Sequence, residues 1–346
     1  MTYNVNGITG TPARTRTVIK SVKENTTTRV VLPETLLSIR DNGAFEKKDV
    51  VNGYLFPLKK TIKLGLMFFK LLRKKPRLIH CFLADSAFVA CIYKLFFKCH
   101  VVFEVHAVLK IASPINFSFK ELVACKLADK LIVMSHKMKE ILVCEYKLNP
   151  KKIQVIWGPI DLDFFKPTRK SSSKFIVCYG GNDSKYQGVE TILKAAKLIS
   201  KEKGIQFKFV GFDGSKYDKN SNVEFKGKIE KDSDFVKELS DSDLFISAYE
   251  GDFATGAYPH KLSTYLSLGK PIIASDISDC RYILEKSKSG KAFPVKDYKS
   301  LALVIKTFYS MDKAKFDKMG KNARRFAEEK LDSHKLYAQL EKSYSD

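Results

Sequence analysis

The chain has 346 residues, with 61 Lys or Arg against 38 Asp or Glu and a formal net charge of +23 at pH 7. Its 45% hydrophobic content excludes a disordered polymer, and its length exceeds one comfortable core and suits two domains. The basic excess implies an anionic partner, whether nucleic acid, an acidic membrane surface or a phosphorylated ligand, and charge alone does not choose among them.

In chain order, a short strand at Thr2 to Val5 leads through a loop containing Gly7 and Gly10 to a helix at Thr15 to Lys23 and a strand at Arg29 to Leu32. Apolar runs predict strands at Leu78 to Leu83, His100 to Val105, Lys130 to Met134 and Ile153 to Trp157. Helical spacing predicts helices at Lys59 to Lys74, Asp85 to Phe97, Ser118 to Ala128 and His136 to Tyr146. Between Pro159 and Ser173 the periodicity is lost and Pro, Ser and charge gather, as in a linker. A second series follows, with strands at Lys174 to Tyr179, Gln206 to Val210, Val223 to Phe225, Leu244 to Ser247 and Ile272 to Ser275. Its helices fall at Val189 to Glu202, Asp234 to Ser240, from Pro259-His260-Lys261 onward, near Tyr282, at Ser300 to Tyr309, at Phe316 to Leu331 and at His334 to Tyr344. Alternation of this kind predicts parallel sheets covered on both faces, in domains at 1–160 and 174–330 with a linker at 161–173 and a C-terminal helix at 331–346.

Seven cysteines without a C-x-x-C pair lie mostly in apolar runs and read as reduced core residues of a cytoplasmic protein. Met1 to Thr17 has no apolar core of the signal-peptide kind. Leu78 to Phe97 has the length of a membrane span, but Asp85 and Lys94 within it favour a buried strand and its helix. The charge is concentrated early: between Val50 and Phe103 Asp85 is the only acid against ten Lys or Arg. Residues 54–77 combine a broad apolar face with basic positions, the pattern of a helix lying on anionic lipid as well as of an ordinary core helix with a solvated stripe. Peripheral contact with the inner face of the plasma membrane is therefore an expectation. The acid pairs Asp161/Asp163 and Asp241/Asp243 read as a turn and a polar edge, and no metal site is expected. No nucleic-acid motif accompanies the charge, so a nucleic-acid partner is the less favoured alternative.

The motifs carry more than the composition. In Pro259, Lys261, Leu262, Tyr265, Gly269, Lys270 and Pro271 the chain resembles the P-x-K-L-x-E-Y-x-x-x-G-K-P passage of family-4 (group 1) retaining glycosyltransferases. Ala128, Asp129, Ser135, Gly158, Asp161, Phe165 and Pro167 fall in step with the same family, with Trp157 in place of its usual Asn. Phe175 to Ala196 is similar to the start of its donor domain, and Val223 to Ile229 to its V-x-F-x-G-x-(apolar) strand and turn beside the nucleotide base.

This resemblance implies a GT-B fold, two Rossmann-like α/β domains with parallel sheets facing across a cleft and a C-terminal helix crossing back to the first. It also implies transfer of a hexose from a nucleoside-diphosphate sugar, with retention of configuration and no obligatory metal or other cofactor, to a glycan or lipid-linked acceptor. Donor-side residues carried over are Gly181, Asn182, Lys185, Gln187, Ile229, His260, Lys261, Leu262 and Thr264; His106 and Glu250 are the catalytic candidates, and Gly7 and Gly10 lie on the acceptor side. Asn182 and Gln187 stand where the family has the Arg and Lys that hold the diphosphate, and Thr264 and Gly256 stand where it has two glutamates. Lys185 and Lys261 are the replacement cations and Glu250 the replacement acid. A nucleotide-sugar-binding protein that kept the fold and lost catalysis is the alternative.

Overall fold

The computed structural model describes residues 14, 17, 18, 20–22, 57–108, 119–167, 173–218, 220–251 and 255–344. The chain divides into two units, one of residues 1–157 with 334–346 and the other of residues 158–333. Residues 159–167, part of the stretch whose composition reads as a linker, belong to the second unit: Leu162 and Phe165 are buried, and Arg324 donates to the carbonyls of Phe165 at 2.8 Å and Leu162 at 3.3 Å.

In the N-terminal unit, helix α1 (Pro57–Lys74) precedes β1 (Leu78–Cys81), α2 (Ala84–Phe96), β2 (His100–Val105), α3 (Phe119–Leu127), β3 (Lys130–Val133), α4 (His136–Tyr146) and β4 (Ile153–Val155). The described strands form one parallel sheet in the order β1-β2-β3-β4, with Leu78 opposite His100, Val102 opposite Lys130 and Leu131 opposite Ile153. Strand β4 ends at Val155, two residues before the predicted limit. The strands expected at Thr2 to Val5 and Arg29 to Leu32, and the glycine loop between them, lie outside the described residues. Val18, Val22, Phe82, Val102, Ile132 and Ile156 form a core closed by Leu336 and Leu340 of the C-terminal helix α11 (Leu336–Tyr344).

The C-terminal unit runs β5 (Phe175–Gly180), α5 (Val189–Leu198), β6 (Ile205–Val210), β7 (Val223–Phe225), α6 (Asp232–Ser240), β8 (Leu244–Ser247), α7 (His260–Ser267), β9 (Ile272–Ser275), α8 (Cys280–Ser287), β10 (Gly290–Phe293), α9 (Tyr298–Tyr309) and α10 (Lys313–Lys330). Its six described strands are all parallel in the order β10-β9-β8-β5-β6-β7. The chain builds outward from β5 through β6 to β7, then returns to the other side of β5 for β8, β9 and β10. The strand order therefore reverses between β5 and β8, and the crevice beyond their carboxyl ends is where doubly wound sheets bind ligands.

Strand β10 was not predicted. It pairs with β9 alone, at the sheet edge, and its Gly-Lys-Ala-Phe sequence has only Phe293 buried, so it carries no apolar run to reveal it. Helix α10 begins three residues before the predicted start because the Asp312 side chain caps it, accepting from the Lys315 amide at 3.0 Å. All seven cysteines are unpaired, six of them buried and Cys144 exposed.

Candidate functional site

At the reversal point two loops and one helix converge. After Gly180 the chain turns at Gly181, with φ +140°, into a loop closed by Asn182, whose Oδ1 accepts from the Ser184 amide at 3.1 Å and from Ser184 Oγ at 2.7 Å. A 3-10 turn over Lys185–Gln187 follows, and Gly188, at φ +64°, starts α5. Here only glycine fits: a Cβ at 188 would lie 1.7 Å from the carbonyl oxygen of Ala248, in the loop after β8. The Glu250 amide donates to the Tyr186 carbonyl at 2.9 Å, so the loops after β5 and β8 are clasped together.

Helix α7 is pinned to this clasp. The Tyr265 hydroxyl accepts from the Gly180 amide at 2.9 Å and lies 3.3 Å from its carbonyl, while the Tyr265 ring stacks on Phe245 of β8 with centroids 4.2 Å apart. Arg324 of α10 donates to the Ser267 carbonyl at 2.9 Å, at the far end of α7. Ser263 Oγ donates to the Gly158 carbonyl at 2.8 Å. At the near end Pro259 is the N-cap and supplies no side-chain acceptor, so this helix start has no built-in partner of the usual Ser, Thr or Asp kind.

This frame holds Lys261 over the β5 loop. Its Nζ donates to Gln187 Oε1, lies 3.5 Å from the Tyr249 hydroxyl, and sits 5.1 Å from the Tyr179 ring centroid and 4.8 Å from that of Tyr249. The stem runs across Gly181, where a Cβ would come within 2.5 Å of Lys261 Cε. Enclosure among an amide and two rings removes water from the ammonium, and this desolvation pushes its pKa down to about 7. Burial shifts the phenols the other way, upward, so Tyr179 and Tyr249 remain neutral hydroxyls that donate or accept. Tyr179 donates to the Asn182 carbonyl at 2.5 Å and lies 3.2 Å from Gln187 Oε1.

Glu250, half-buried, accepts from Thr191 Oγ1 at 2.8 Å. Thr264 is buried in α7, and its hydroxyl has no hydrogen-bond partner among the described residues.

In the N-terminal unit a second polar cluster lies at the carboxyl end of β2. Glu104, within β2, is fully buried and receives Arg14 Nε at 2.8 Å and Nη2 at 3.2 Å. His106, just past the strand, places Nε2 at 2.9 Å from Glu104 Oε1, and its ring meets Phe82 edge-on at 6.1 Å. His80 of β1 places Nε2 at 3.5 Å from Glu104 Oε2, and its Nδ1 is 2.8 Å from the hydroxyl of Tyr344 in α11.

Comparison with protein-family models matches residues 161–326 to "Glycosyl transferases group 1" and residues 32–164 to "Glycosyltransferase Family 4". The chain is a group 1, family-4 glycosyltransferase with the GT-B fold. Solved structures agree on the fold. Sucrose-phosphate synthase from Thermosynechococcus elongatus superposes with a TM-score of 0.66 at 19% identity, over 84% of this chain and 79% of that one. HepE from Anabaena, in complex with UDP, gives 0.67 at 18% identity over 82% of each chain. A glycosyltransferase from Rickettsia africae gives 0.66 at 17% identity, over 85% of this chain and 82% of that one. A comparison with curated protein sequences finds no match.

Within this glycosyltransferase, Gly181, Gln187, Lys261 and the Asn182 backbone meet in one cluster. Lys185 is exposed on the 3-10 turn beside them, and the Asn182 side chain is engaged in its own turn. Ile229 is half-buried beyond β7, and His260 meets Tyr258 edge-on at 5.4 Å. Leu262 is fully buried in the core, and its amide donates to the Pro259 carbonyl at 2.9 Å. Gly7 and Gly10 lie outside the described residues. Sequence reasoning did not single out Tyr179, Tyr249, Glu104, Arg14 or Tyr344. A lone acid in the apolar run HVVFEVH was the available signal for Glu104, since a carboxylate buried in a strand requires a cationic or hydrogen-bonding partner.

Proposed function

We propose that this glycosyltransferase moves a hexose from a nucleoside-diphosphate sugar to a glycan or lipid-linked acceptor with retention of configuration, and that Lys261 is the cation of the donor diphosphate. The position of the Lys261 ammonium carries this reading. It meets the side chain of Gln187, the residue that stands where related glycosyltransferases have a phosphate-binding lysine, at the mouth of the strand-order reversal. The charge absent from the β5 loop is thus supplied by α7. The uncapped start of α7 adds a favourable field for an anion.

HepE is described in complex with UDP and with UDP-glucose, which supports a nucleotide-sugar donor for a chain of the same fold. As the diphosphate leaves, positive charge grows on the sugar ring, and Glu250 and His106 serve by holding its hydroxyls. Lys261 and the exposed Lys185 take up the leaving charge in this scheme without a metal. Activity unchanged by EDTA is the expected result, and activity restored only by a divalent cation would oppose it.

A thermal-shift screen with UDP, GDP, ADP and dTDP and their hexose derivatives tests the donor class, with one nucleoside diphosphate raising the unfolding midpoint and its sugar being slowly hydrolysed. No stabilisation by any of them would contradict the reading. Glu250→Gln is expected to lower kcat by about 100-fold, as for loss of a group that stabilises developing charge, with the donor still bound. If turnover is absent in the wild type and donor affinity is indifferent to Glu250→Gln, the protein binds without catalysing. The buried Thr264 and the Gly256 at the family's carboxylate positions favour that second reading.

No helix among the described residues is long and apolar enough to cross a membrane. Peripheral contact through residues 54–77, on the cytoplasmic face, is supported by exposed Leu66 and Phe69 beside exposed Lys70 and Arg73 on α1, and by exposed Leu95 and Phe96 on α2, which packs against it through Phe68 and Tyr93. Sedimentation with anionic but not neutral vesicles, weakened by Phe69→Ser, is expected.

A further inference from the structure

The polar cluster around Glu104 has a property that the donor reading does not use: its hydrogen bonds are directional. Glu104 has no exposed surface. Burial alone would raise its carboxyl; the Arg14 guanidinium and the hydrogen bond from His106, with the His80 ring beside them, overcome that and hold it well below the usual range. It is therefore a carboxylate, and a carboxylate only accepts. Each nitrogen hydrogen-bonded to it must carry the hydrogen.

The consequence for His106 follows atom by atom. Nε2 lies 2.9 Å from Glu104 Oε1 and must be the protonated nitrogen. In the neutral ring Nδ1 then bears a lone pair. Nδ1 is buried and has no hydrogen-bond partner among the described residues. A buried, ready acceptor without a donor is rare in a folded protein and calls for a missing partner.

His80 stands on the other side of Glu104. Burial keeps the Tyr344 phenol neutral, and its hydroxyl lies 2.8 Å from His80 Nδ1. His80 Nε2 faces Glu104 Oε2 at 3.5 Å, without a hydrogen bond among the described residues. Phe82 stacks on His80 at 4.6 Å and meets His106 edge-on at 6.1 Å, which limits both rings' freedom to flip. Arg14 and His106 thus set the hydrogen pattern around this carboxylate.

We propose that Glu104, neutralised by Arg14, is a positioning residue that fixes His106 as its Nε2–H tautomer and so presents Nδ1 as an acceptor for a hydroxyl of the bound sugar. A structural ion pair alone does not account for the arrangement. Replacing a buried pair by apolar side chains is often neutral or stabilising, whereas retention here sets the polarity of a ring at the carboxyl end of a parallel strand, where ligands bind. A carboxylate that orients a histidine by its ring hydrogen is also a general way to choose which nitrogen acts.

The inference rests on the sugar-transfer reading for its ligand, and the test separates the two. Long-range proton–nitrogen correlation spectra of 15N-labelled protein without ligand report the tautomer of each neutral histidine, and His106→Asn identifies the signal. The expected wild-type pattern is Nε2–H for His106. Glu104→Gln is expected to give a mixture of tautomers and to lower kcat by about 100-fold, as for a misplaced catalytic group, with the donor KM little changed. An Nδ1–H pattern in the wild type overturns the proposal even if sugar is transferred. So does a Glu104→Gln protein that keeps both the single tautomer and the rate. Because the wild-type spectrum is decisive by itself, a Glu104→Gln variant that fails to fold does not rescue the proposal.

Discussion

Lys261→Met is expected to yield a protein that is harder to unfold and unable to hold its donor. The folded state keeps the Lys261 ammonium among Gln187, Tyr179 and Tyr249, where desolvation brings its pKa to about 7, whereas lysine in an unfolded chain titrates near ~10.4. Between those values the unfolded chain binds the extra proton. The unfavourable contribution of Lys261 is therefore full below pH 7 and is relieved as the pH rises from 7 towards 10. Methionine fills a similar space without a charge, so the variant should gain stability at pH 6.5, by about 2 kcal/mol at most, and should lose this part of the pH dependence. Urea unfolding of both proteins at pH 6.5 and 9 checks the sign: the gain should shrink at pH 9. A diphosphate reverses the balance, because an anion beside Nζ favours the charged form. Donor binding at pH 8 should thus take up a proton, measurable as a dependence of the binding heat on buffer ionisation, and the uptake should vanish in Lys261→Met.

Gly188→Ala is expected to be as damaging to folding as Lys261→Met is to binding. Its φ of +64° costs a side-chain-bearing residue about 1 kcal/mol or more, and a Cβ there would lie 1.7 Å from the Ala248 carbonyl oxygen. Relief requires the β5 and β8 loops to separate, breaking the bond from the Glu250 amide to the Tyr186 carbonyl. A total loss of about 3 kcal/mol follows from strain plus overpacking. For a unit of this size that lowers the thermal midpoint by roughly 10 °C. Gly227→Ala is the control, because it also has positive φ, +68°, but a Cβ there meets nothing within 4 Å. Equal losses at the two positions would show that backbone strain alone acts and that the clasp is not tight.

The strands that the sequence revealed best are the buried ones. Leu244 to Ser247 and Ile272 to Ser275 are buried at every position, so they read as unbroken small or apolar runs. Strand β10 escaped because an edge strand with one buried residue has no such run. At the site, Pro259, Lys261 and Tyr265 were legible as a family pattern, and Tyr265 does tie α7 to the end of β5. Lys261 was legible as a replacement cation, but its contact with Gln187 through space was not. Position by position, Gln187 looks like a lost charge, yet Lys261, 74 residues later, brings its ammonium to the same side chain. The partner of Glu104 was similarly opaque, since Arg14 is 90 residues away and nothing in either local sequence names the other.

A charge swap puts the central claim, that α7 supplies the cation missing from the β5 loop, to its most direct test. Donor affinity is measured by calorimetry for the wild type, Lys261→Gln, and Lys261→Gln with Gln187→Lys. Because Nζ is hydrogen-bonded to Gln187 Oε1, a cation carried by either side chain reaches the same place; the single variant should lose at least about tenfold in affinity, as for a charge-assisted contact, and the double variant should regain most of it. Wild-type affinity in Lys261→Gln alone would contradict the account.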